Sequence, residues 1–223
     1  NQDIIKNTVK FNGEKIYYSI DDVQILEKRP SYSKFMYKNN EYELHIEGDY
    51  NIENSLSAIE VGHKLGMTYE EIREGLASYK PIEKRWEAEE INGYKVINDS
   101  YNANPESMKA SVKTFLELYK NPVVVLGNMG ELGKDEERYH REIGTFFAGC
   151  GIKDVKFITV GDLAAKTGEE LTDKWFDVKS FMTNKDASCY ILDNLDVGNT
   201  IFLKASRSMK FEEIIEDLRR GKV

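Results

Sequence analysis

Between residues 94 and 219, short apolar runs alternate with helical periods, and this alternation narrows the possible folds more than any other feature of the chain. The apolar runs predict strands at 94–98, 123–127, 155–160 and 200–204, with a weaker one near 176–181. The helical periods fall at 105–119, 135–149, 162–171, 185–194 and 209–219. Strands separated by helices imply βαβ units, a mainly parallel sheet and right-handed crossovers, so the expected class is α/β. In open sheets of this kind, ligands bind beyond the carboxyl ends of the strands. The chemically unusual residues follow the predicted strands there: Asp99 to Asn104, Gly127 to Gly133, Gly161-Asp162 and Lys204 to Ser208. One crevice shared by these tips is the expectation.

The first third reads as the end of a domain. Residues 41–47 alternate strictly, with Tyr42, Leu44 and Ile46 on one face, and Phe35 and Tyr37 precede them, so a hairpin turning at Asn39-Asn40 is predicted. The period then lengthens. Ile52, Leu56, Ile59 and His63 form a helical stripe over 51–65 that stops at Gly66. Thr68 with Glu71 is a capping-box pattern for a second helix, with Ile72, Leu76 and Tyr79 as its buried stripe and Pro81 as its stop. Residues 81–93 are polar and charged, and a domain junction is placed there. No internal repeat or low-complexity stretch occurs.

The composition excludes several classes. A net charge of −8 argues against nucleic acid as the main partner, because duplex binding leans on Lys and Arg neutralising phosphates. A nucleotide stays possible, since it needs only a few local cations and backbone N–H groups. Cys150 and Cys189 lie far apart in no metal-ligand spacing, so free thiols of a reducing cytosol are expected. No apolar run approaches the ~18 residues of a membrane span, and no signal peptide is visible. The opening Asn1-Gln2-Asp3, polar and without Met, reads as a cut inside a longer protein.

The segment Asp99-Ser-Tyr-Asn-Ala-Asn-Pro-Glu-Ser-Met108 carries the most chemistry. Asn104 is a good N-cap, Pro105 suits the first helical position, and Glu106 complements the helix dipole. A well-capped helix accounts for Asn104 to Ser107, but not for Asp99, Tyr101 and Asn102 crowding the same turn. The run 127–133 sits after a strand and before a helix, as a phosphate loop does, yet it lacks the Lys-Ser/Thr of that motif. A tight turn packing a helix on the sheet is the favoured reading. Asn51 and Asn54 open a helix, which explains one of them as a cap. His45 reads as exposed filler on a strand and His63 as half-buried on a helix, while no chemical role is assigned to His140. Trp86, Trp175 and the 13 tyrosines lack the basic interleaving of nucleobase-stacking platforms and are assigned to core and rim.

DSYNANPESM, led by a strand, resembles a signature of the Mur ligase family in its UDP-N-acetylmuramoyl-tripeptide–D-alanyl-D-alanine-adding (MurF) type. Further likenesses follow in the family's order. Val125 to Gly133 (VLGNMGELG) resembles VLGDMGELG, with Asn128 where Asp is usual. His140 with Gly144 resembles the H-x-x-x-G after it. Lys204 to Met209 with Glu212-Glu213 resembles KGSRSxxMEE, with Ala205 replacing Gly. Gly48 to Asn54 resembles G-x-H-N-x-x-N with Tyr50 in place of His, and Arg85 fits the Arg that ends the central domain. The likeness covers essentially all 223 residues.

The resemblance implies a Rossmann-like C-terminal domain at 84–223, preceded at 1–83 by the tail of an α/β central ATPase domain. It implies a cytoplasmic, monomeric, ATP- and Mg²⁺-dependent ligase that joins D-alanyl-D-alanine to UDP-N-acetylmuramoyl-tripeptide through an acyl phosphate. It places Asn51, Asn54, Arg85, Asp99, Tyr101 and Asn102 on the nucleotide, and Asn104, Lys204, Ser206 and Arg207 on the substrate. No metal ligand is assigned in this chain. No G-x-x-x-x-G-K-[ST] occurs in it either, so the phosphate loop, the Mg²⁺ carboxylates and the UDP-binding domain are expected upstream of Asn1, and the chain alone is expected to be inactive. Two alternatives stand: a folylpolyglutamate synthetase-like ligase, against which the YNANP run argues, and a non-catalytic α/β module that binds a small ligand.

Overall fold

The computed structural model describes residues 10, 12–80, 84–152 and 154–221. Two sheets organise them. The first is an antiparallel meander of β1 (Val23–Arg29), β2 (Tyr32–Tyr37) and β3 (Asn40–Leu44). The β2–β3 turn is made by Lys38 and Asn39, with φ of 49° and 63°, and Asn40 already pairs with Tyr37. The turn therefore lies one residue earlier than Asn39-Asn40, because both central residues of such a tight turn need positive φ. Phe35, Tyr37, Tyr42 and Leu44 face α1 (Asp49–Lys64) and α2 (Tyr69–Ala77) in one apolar cluster.

Helix α1 opens at Gly48, whose φ of +103° suits glycine and whose missing Cβ leaves room for Tyr50 and Thr114. Ile52, Leu56 and Ile59 are fully buried, as their spacing predicts, but His63 is exposed rather than half-buried. The stripe rotates out of the core in the last turn, which closes on Gly66. Thr68 and Glu71 form the reciprocal cap of α2. Ile72 is buried, whereas Tyr79, expected on the buried stripe, is 47% exposed because the helix has ended at Ala77. Pro81 lies outside the described residues.

The second sheet has the order β4-β5-β9-β6-β7-β8. Its strands are β4 (Glu87–Ile91), β5 (Tyr94–Asn98), β6 (Pro122–Gly127), β7 (Lys156–Val160), β8 (Asp177–Phe181) and β9 (Thr200–Lys204). All neighbours run parallel except β4 with β5. The helices are α3 (Pro105–Leu118), α4 (Glu136–Gly149), α5 (Asp162–Thr172), α6 (Asn184–Asn194) and α7 (Glu212–Arg220). α7 starts three residues after the expected 209, because Arg207–Met209 form a separate 3₁₀ turn ended by Lys210 at φ 50°.

The parallel strands are buried on both faces, which is why they read as unbroken apolar runs. Val124, Leu126, Phe157 and Phe202 pack with α3, α4 and α5. Val123, Val125, Ile158, Ile201 and Leu203 pack with α6 and α7 on the other side. Strand β4 falls inside the expected polar junction 81–93. Its residues are exposed except Ile91, so no apolar alternation marks it. It is a charged sheet edge of the kind that discourages further strand pairing.

The α1–β3 unit and the large sheet share one core. Tyr50 approaches Trp86, and Trp86 and Phe115 each pack on Phe202. The Tyr119 hydroxyl donates to the buried Glu47 carboxylate at 2.7 Å, and the Ser31 N–H donates to its other oxygen at 2.8 Å.

Candidate functional site

Strands β5 and β9 lie side by side, but the chain leaves them in opposite directions. After β5 it enters α3 on one face of the sheet, and after β9 it enters α7 on the other. That divergence opens a crevice at their carboxyl ends. A cleft of about 510 Å³ lies there, closed on its other side by the start of α1. The β5–α3 loop, β9, α1 and the segment before β4 all contribute walls.

Asp99, Asn102 and Asn104 enter from the β5–α3 loop, and the loop's shape is set locally. The Asn98 side chain accepts from the Ser100 N–H and hydroxyl, turning the chain out of the strand. Asn104 caps α3 by accepting from the Ser107 N–H at 2.9 Å, with Pro105 in the first turn. Two helix N-termini, those of α1 and α3, thus border the cleft, and their free amides favour anions. Lys204, the last residue of β9, is 3% exposed and donates to the Asp99 carboxylate at 2.6 Å. Burial pushes the Asp99 carboxyl up, while Lys204, the Ser111 hydroxyl and the Arg85 guanidinium oppose that shift.

Asn51 and Asn54 line the cleft from the first turns of α1. Gly48 occupies the cap position, so neither asparagine is the cap, and Asn51 instead donates back to the Glu47 carbonyl at 2.7 Å. An apolar slot of about 450 Å³ opens beyond them, walled by Leu44, Ile46, Ile72 and Leu76. Tyr50 lines the main cleft beside Asn51, and burial together with the Asp99 charge raises its phenol well above the usual range. Arg85 lies at the rim with its guanidinium 4.6 Å from the centre of the Tyr101 ring, a cation–π distance. Among the described residues no carboxylate forms an ion pair with Arg85. Tyr101 holds the rim by donating its N–H to the Lys84 carbonyl.

Seven of the ten residues singled out from the sequence therefore line one cleft: Asn51, Asn54, Arg85, Asp99, Asn102, Asn104 and Lys204. Tyr101 reaches it through Arg85. Ser206 and Arg207 do not line it. The Ser206 N–H bonds the Asn128 carbonyl, and Arg207 pairs with Glu212 at 2.9 Å on the surface. Tyr79, Trp86, Glu106 and Ser111 join the lining without having been singled out for it. Glu106 and Ser111 lie on α3 within two turns of Asn104, a signal that helical spacing could have supplied.

The glycine-rich run 127–133 is a packed turn. A Cβ on Gly127 would stand 2.6 Å from that of Ala205 and 2.8 Å from the Phe211 ring. The Met129 N–H donates to Nε2 of the buried His140 at 2.9 Å, and His140 Nδ1 lies 2.7 Å from the Glu136 carbonyl. Asn128 accepts from the Ala164 N–H and donates to the Asp162 carboxylate, so it caps α5 from across the sheet.

Among the described residues, no group of three or more His, Cys, Asp or Glu side chains could hold a metal ion. The carboxylates at the cleft do not fit a Mg²⁺ cage: Asp99 is taken by Lys204, and Glu53 and Glu106 stand on different helices. No helix among these residues is long and apolar enough to cross a membrane. Cys150 and Cys189 are free and exposed.

The chain is 37% identical over 185 residues to the UDP-N-acetylmuramoyl-tripeptide–D-alanyl-D-alanine ligase of Bacillus subtilis, covering 80% of this chain and 40% of that protein. It is 30% identical over 179 residues to the ligase of the same name from Escherichia coli, covering 80% and 39%. The chain thus spans about 40% of the length of these curated relatives. A crystal structure of MurF from Acinetobacter baumannii superposes with a TM-score of 0.78 at 25% identity, over 90% of this chain and 45% of that one. Residues 84–207 match the family described as Mur ligase, glutamate ligase domain, and the chain belongs to the Mur ligase family.

Proposed function

We propose that this chain is the C-terminal portion of an ATP-dependent ligase that adds D-alanyl-D-alanine to UDP-N-acetylmuramoyl-tripeptide. On this reading, residues 1–83 complete a central ATP-binding domain and residues 84–223 form the C-terminal domain. The observation that carries it is the convergence of Asn51, Asn54, Arg85, Asp99 and Asn102, from three separate segments, on one cleft between the two units.

The cleft suits a nucleotide. The apolar slot beyond Asn51 and Asn54 accommodates a flat base between aliphatic walls, with two amides to fix its edge. Arg85 faces Asp99 but makes no close ion pair with a carboxylate among the described residues, and its guanidinium can meet a phosphate with two parallel hydrogen bonds. Helix α3 adds its N-terminal amides. In such a ligation the tripeptide carboxylate takes the γ-phosphoryl group, and the D-alanyl-D-alanine amine displaces phosphate through a tetrahedral intermediate. The part of this chain is to orient the nucleotide and to exclude water from the activated acid. Mg²⁺ enters no step here, because these residues do not supply its ligands.

The test is a ligation assay with the complete enzyme that carries this chain. ATP, UDP-N-acetylmuramoyl-tripeptide and D-alanyl-D-alanine should give the pentapeptide product by mass, with one phosphate released per bond. Arg85→Ala should raise the KM for ATP at least about ten-fold, roughly 1.4 kcal/mol. Product formation with glutamate and not with D-alanyl-D-alanine would reject the substrate assignment. An unchanged ATP KM in Arg85→Ala would reject the cleft.

A further inference from the structure

A buried lysine needs its three ammonium protons accepted, because an unpaired charge away from water is costly. Lys204 finds its acceptors in a single loop. Its Nζ lies 2.6 Å from the Asp99 carboxylate, 3.3 Å from the Asn102 carbonyl and 3.5 Å from the Asp99 carbonyl. These are the residues that carry the β5–α3 loop past the cleft, 102 to 105 positions away in sequence. A group that grips a substrate carboxylate must keep donors free for it. Lys204 has spent its donors within the protein, and an incoming carboxylate would have to displace Asp99.

We infer that Lys204 is a positioning residue: its ammonium ties the β5–α3 loop to the end of β9 and so fixes Asp99, Asn102 and Asn104 at the cleft, without touching the amine substrate. The inference deepens the nucleotide reading of the cleft and rests on it for its catalytic consequence. It replaces the direct substrate contact implied by the family resemblance. The geometry also explains the residue type. Three acceptors converging on one point suit the compact ammonium of Lys, whereas the planar fork of Arg would not meet them together.

Two measurements decide it. The first is a double-mutant cycle on the stability of this chain, which requires no activity. Lys204→Met leaves Asp99 buried beside Ser111 of α3, with Arg85 of the segment before β4 and Tyr50 of α1 as the other groups facing it. Tm should fall on the order of 10 °C at pH 7. The unpaired carboxyl then titrates above its unfolded value. It therefore adds stability at low pH that is lost as pH rises, and the deficit of Lys204→Met should grow between about pH 4 and 7. The double variant Asp99→Asn/Lys204→Met removes both charges and should recover at least half of the lost Tm, with no such pH dependence. If Lys204→Met does not fold, folding of the double variant alone gives the same support. A double variant no better than Lys204→Met would overturn the tether.

The second measurement is the split of Michaelis constants in the complete ligase, at a temperature where Lys204→Met is folded. A positioning role raises the KM for ATP about ten-fold or more and leaves that for D-alanyl-D-alanine within about two-fold. The reverse pattern overturns the inference in favour of a substrate clamp. Should the wild-type enzyme fail to ligate D-alanyl-D-alanine, the functional reading falls, and the stability cycle still decides whether Lys204 is a tether.

Discussion

His140 has one ring proton to place and two partners that dictate where it goes. The Glu136 carbonyl can only accept and the Met129 N–H can only donate, so the proton sits on Nδ1 and Nε2 is the acceptor. Protonating Nε2 would break the bond to Met129, and burial lowers the pKa from its ordinary 6.5, although Glu136 and Asp162 oppose the shift. Below that value the unfolded chain binds a proton that the folded chain resists. Stability conferred by the neutral imidazole is therefore whole at pH 7 and is lost progressively as pH falls from the mid-sixes toward the lower pKa of the folded state. His140→Ala should cost about 2–4 kcal/mol at pH 7, from two lost hydrogen bonds and a cavity, and should flatten the loss between pH 7 and 5. Urea unfolding of both proteins at the two pH values measures this; equal slopes would show that another group titrates. Arg207 makes the opposite case. Its pair with Glu212 is more than half exposed on the Arg side, so Arg207→Lys should change stability by about 0–1 kcal/mol and, in the complete ligase proposed above, leave the KM for D-alanyl-D-alanine within about two-fold. A ten-fold rise would mean that Arg207 leaves Glu212 for a substrate carboxylate. The role of His140 could not be read from the sequence, because it depends on contacts made only in the folded chain, whereas a pairing of Arg207 with Glu212, five residues on, was a reading the sequence left open. The position of His140 in the chain identified it as noteworthy, but only the Met129 contact says what it does.

Secondary elements were legible to the degree that burial imprinted a period on them. β6 and β9 are covered on both faces and appear as VVVL and TIFLK; the α1 stripe Ile52, Leu56 and Ile59 is fully buried and was equally plain. β1 and β4 are edge strands whose residues are almost all exposed, and their charged sequences VQILEKR and EAEEI carry no alternation to detect. The cleft was partly legible for a related reason. Strand tips could be located, and with them Asp99, Asn102, Asn104 and Lys204, whereas Trp86 and Tyr79 reach it only through tertiary packing. Glycine 127 shows how an element end can be set by packing rather than by a ligand. The β6 tip approaches β9 so closely that Ala205 Cβ occupies the space a side chain would need. Gly127→Ala should cost about 1–3 kcal/mol from overpacking. Ala205 stands where the motif it resembles has Gly, so Ala205→Gly in the same chain should return part of that loss. Chemical denaturation of the single and double variants checks the coupling. Additive effects would mean that Phe211, rather than Ala205, sets the clash.

At the scale of the whole molecule, the buried carboxylate of Glu47 joins the two units. It is 2% exposed and lies just before α1, where it accepts the Ser31 N–H from the β1–β2 turn and the Tyr119 hydroxyl from the end of α3. A charge so placed is stable only while its donors remain, and Tyr119 is the donor that crosses from one sheet to the other. The same bond, with burial as the larger cause, holds the Tyr119 phenol well above its usual range, so it stays protonated and donating at physiological pH. Around it Tyr50, Trp86, Phe115 and Phe202 close one apolar cluster, so the units should unfold together. The two tryptophans allow this to be read separately. Trp86 is 5% exposed at the junction, while Trp175 is 96% exposed and should change little on unfolding. Fluorescence therefore follows the junction, and far-ultraviolet dichroism follows both sheets. In the wild type the two urea curves should coincide. Tyr119→Phe keeps the ring on Phe115 but removes a donor, leaving Glu47 short of a partner at a cost of about 1–3 kcal/mol. If Glu47 fixes the orientation of the units, the fluorescence transition should move to lower urea ahead of the dichroism, because the junction loosens before the sheets melt. Glu47→Gln placed on Tyr119→Phe should bring the two curves back together, since an uncharged amide tolerates the missing hydroxyl better than a carboxylate does. Coincident curves in Tyr119→Phe would show that the aromatic cluster alone sets the junction and that Glu47 merely fills it. The cleft would feel the difference, because Asn51 is bonded to the Glu47 carbonyl and any rotation of the units about that point moves Asn51 and Asn54 relative to Asp99.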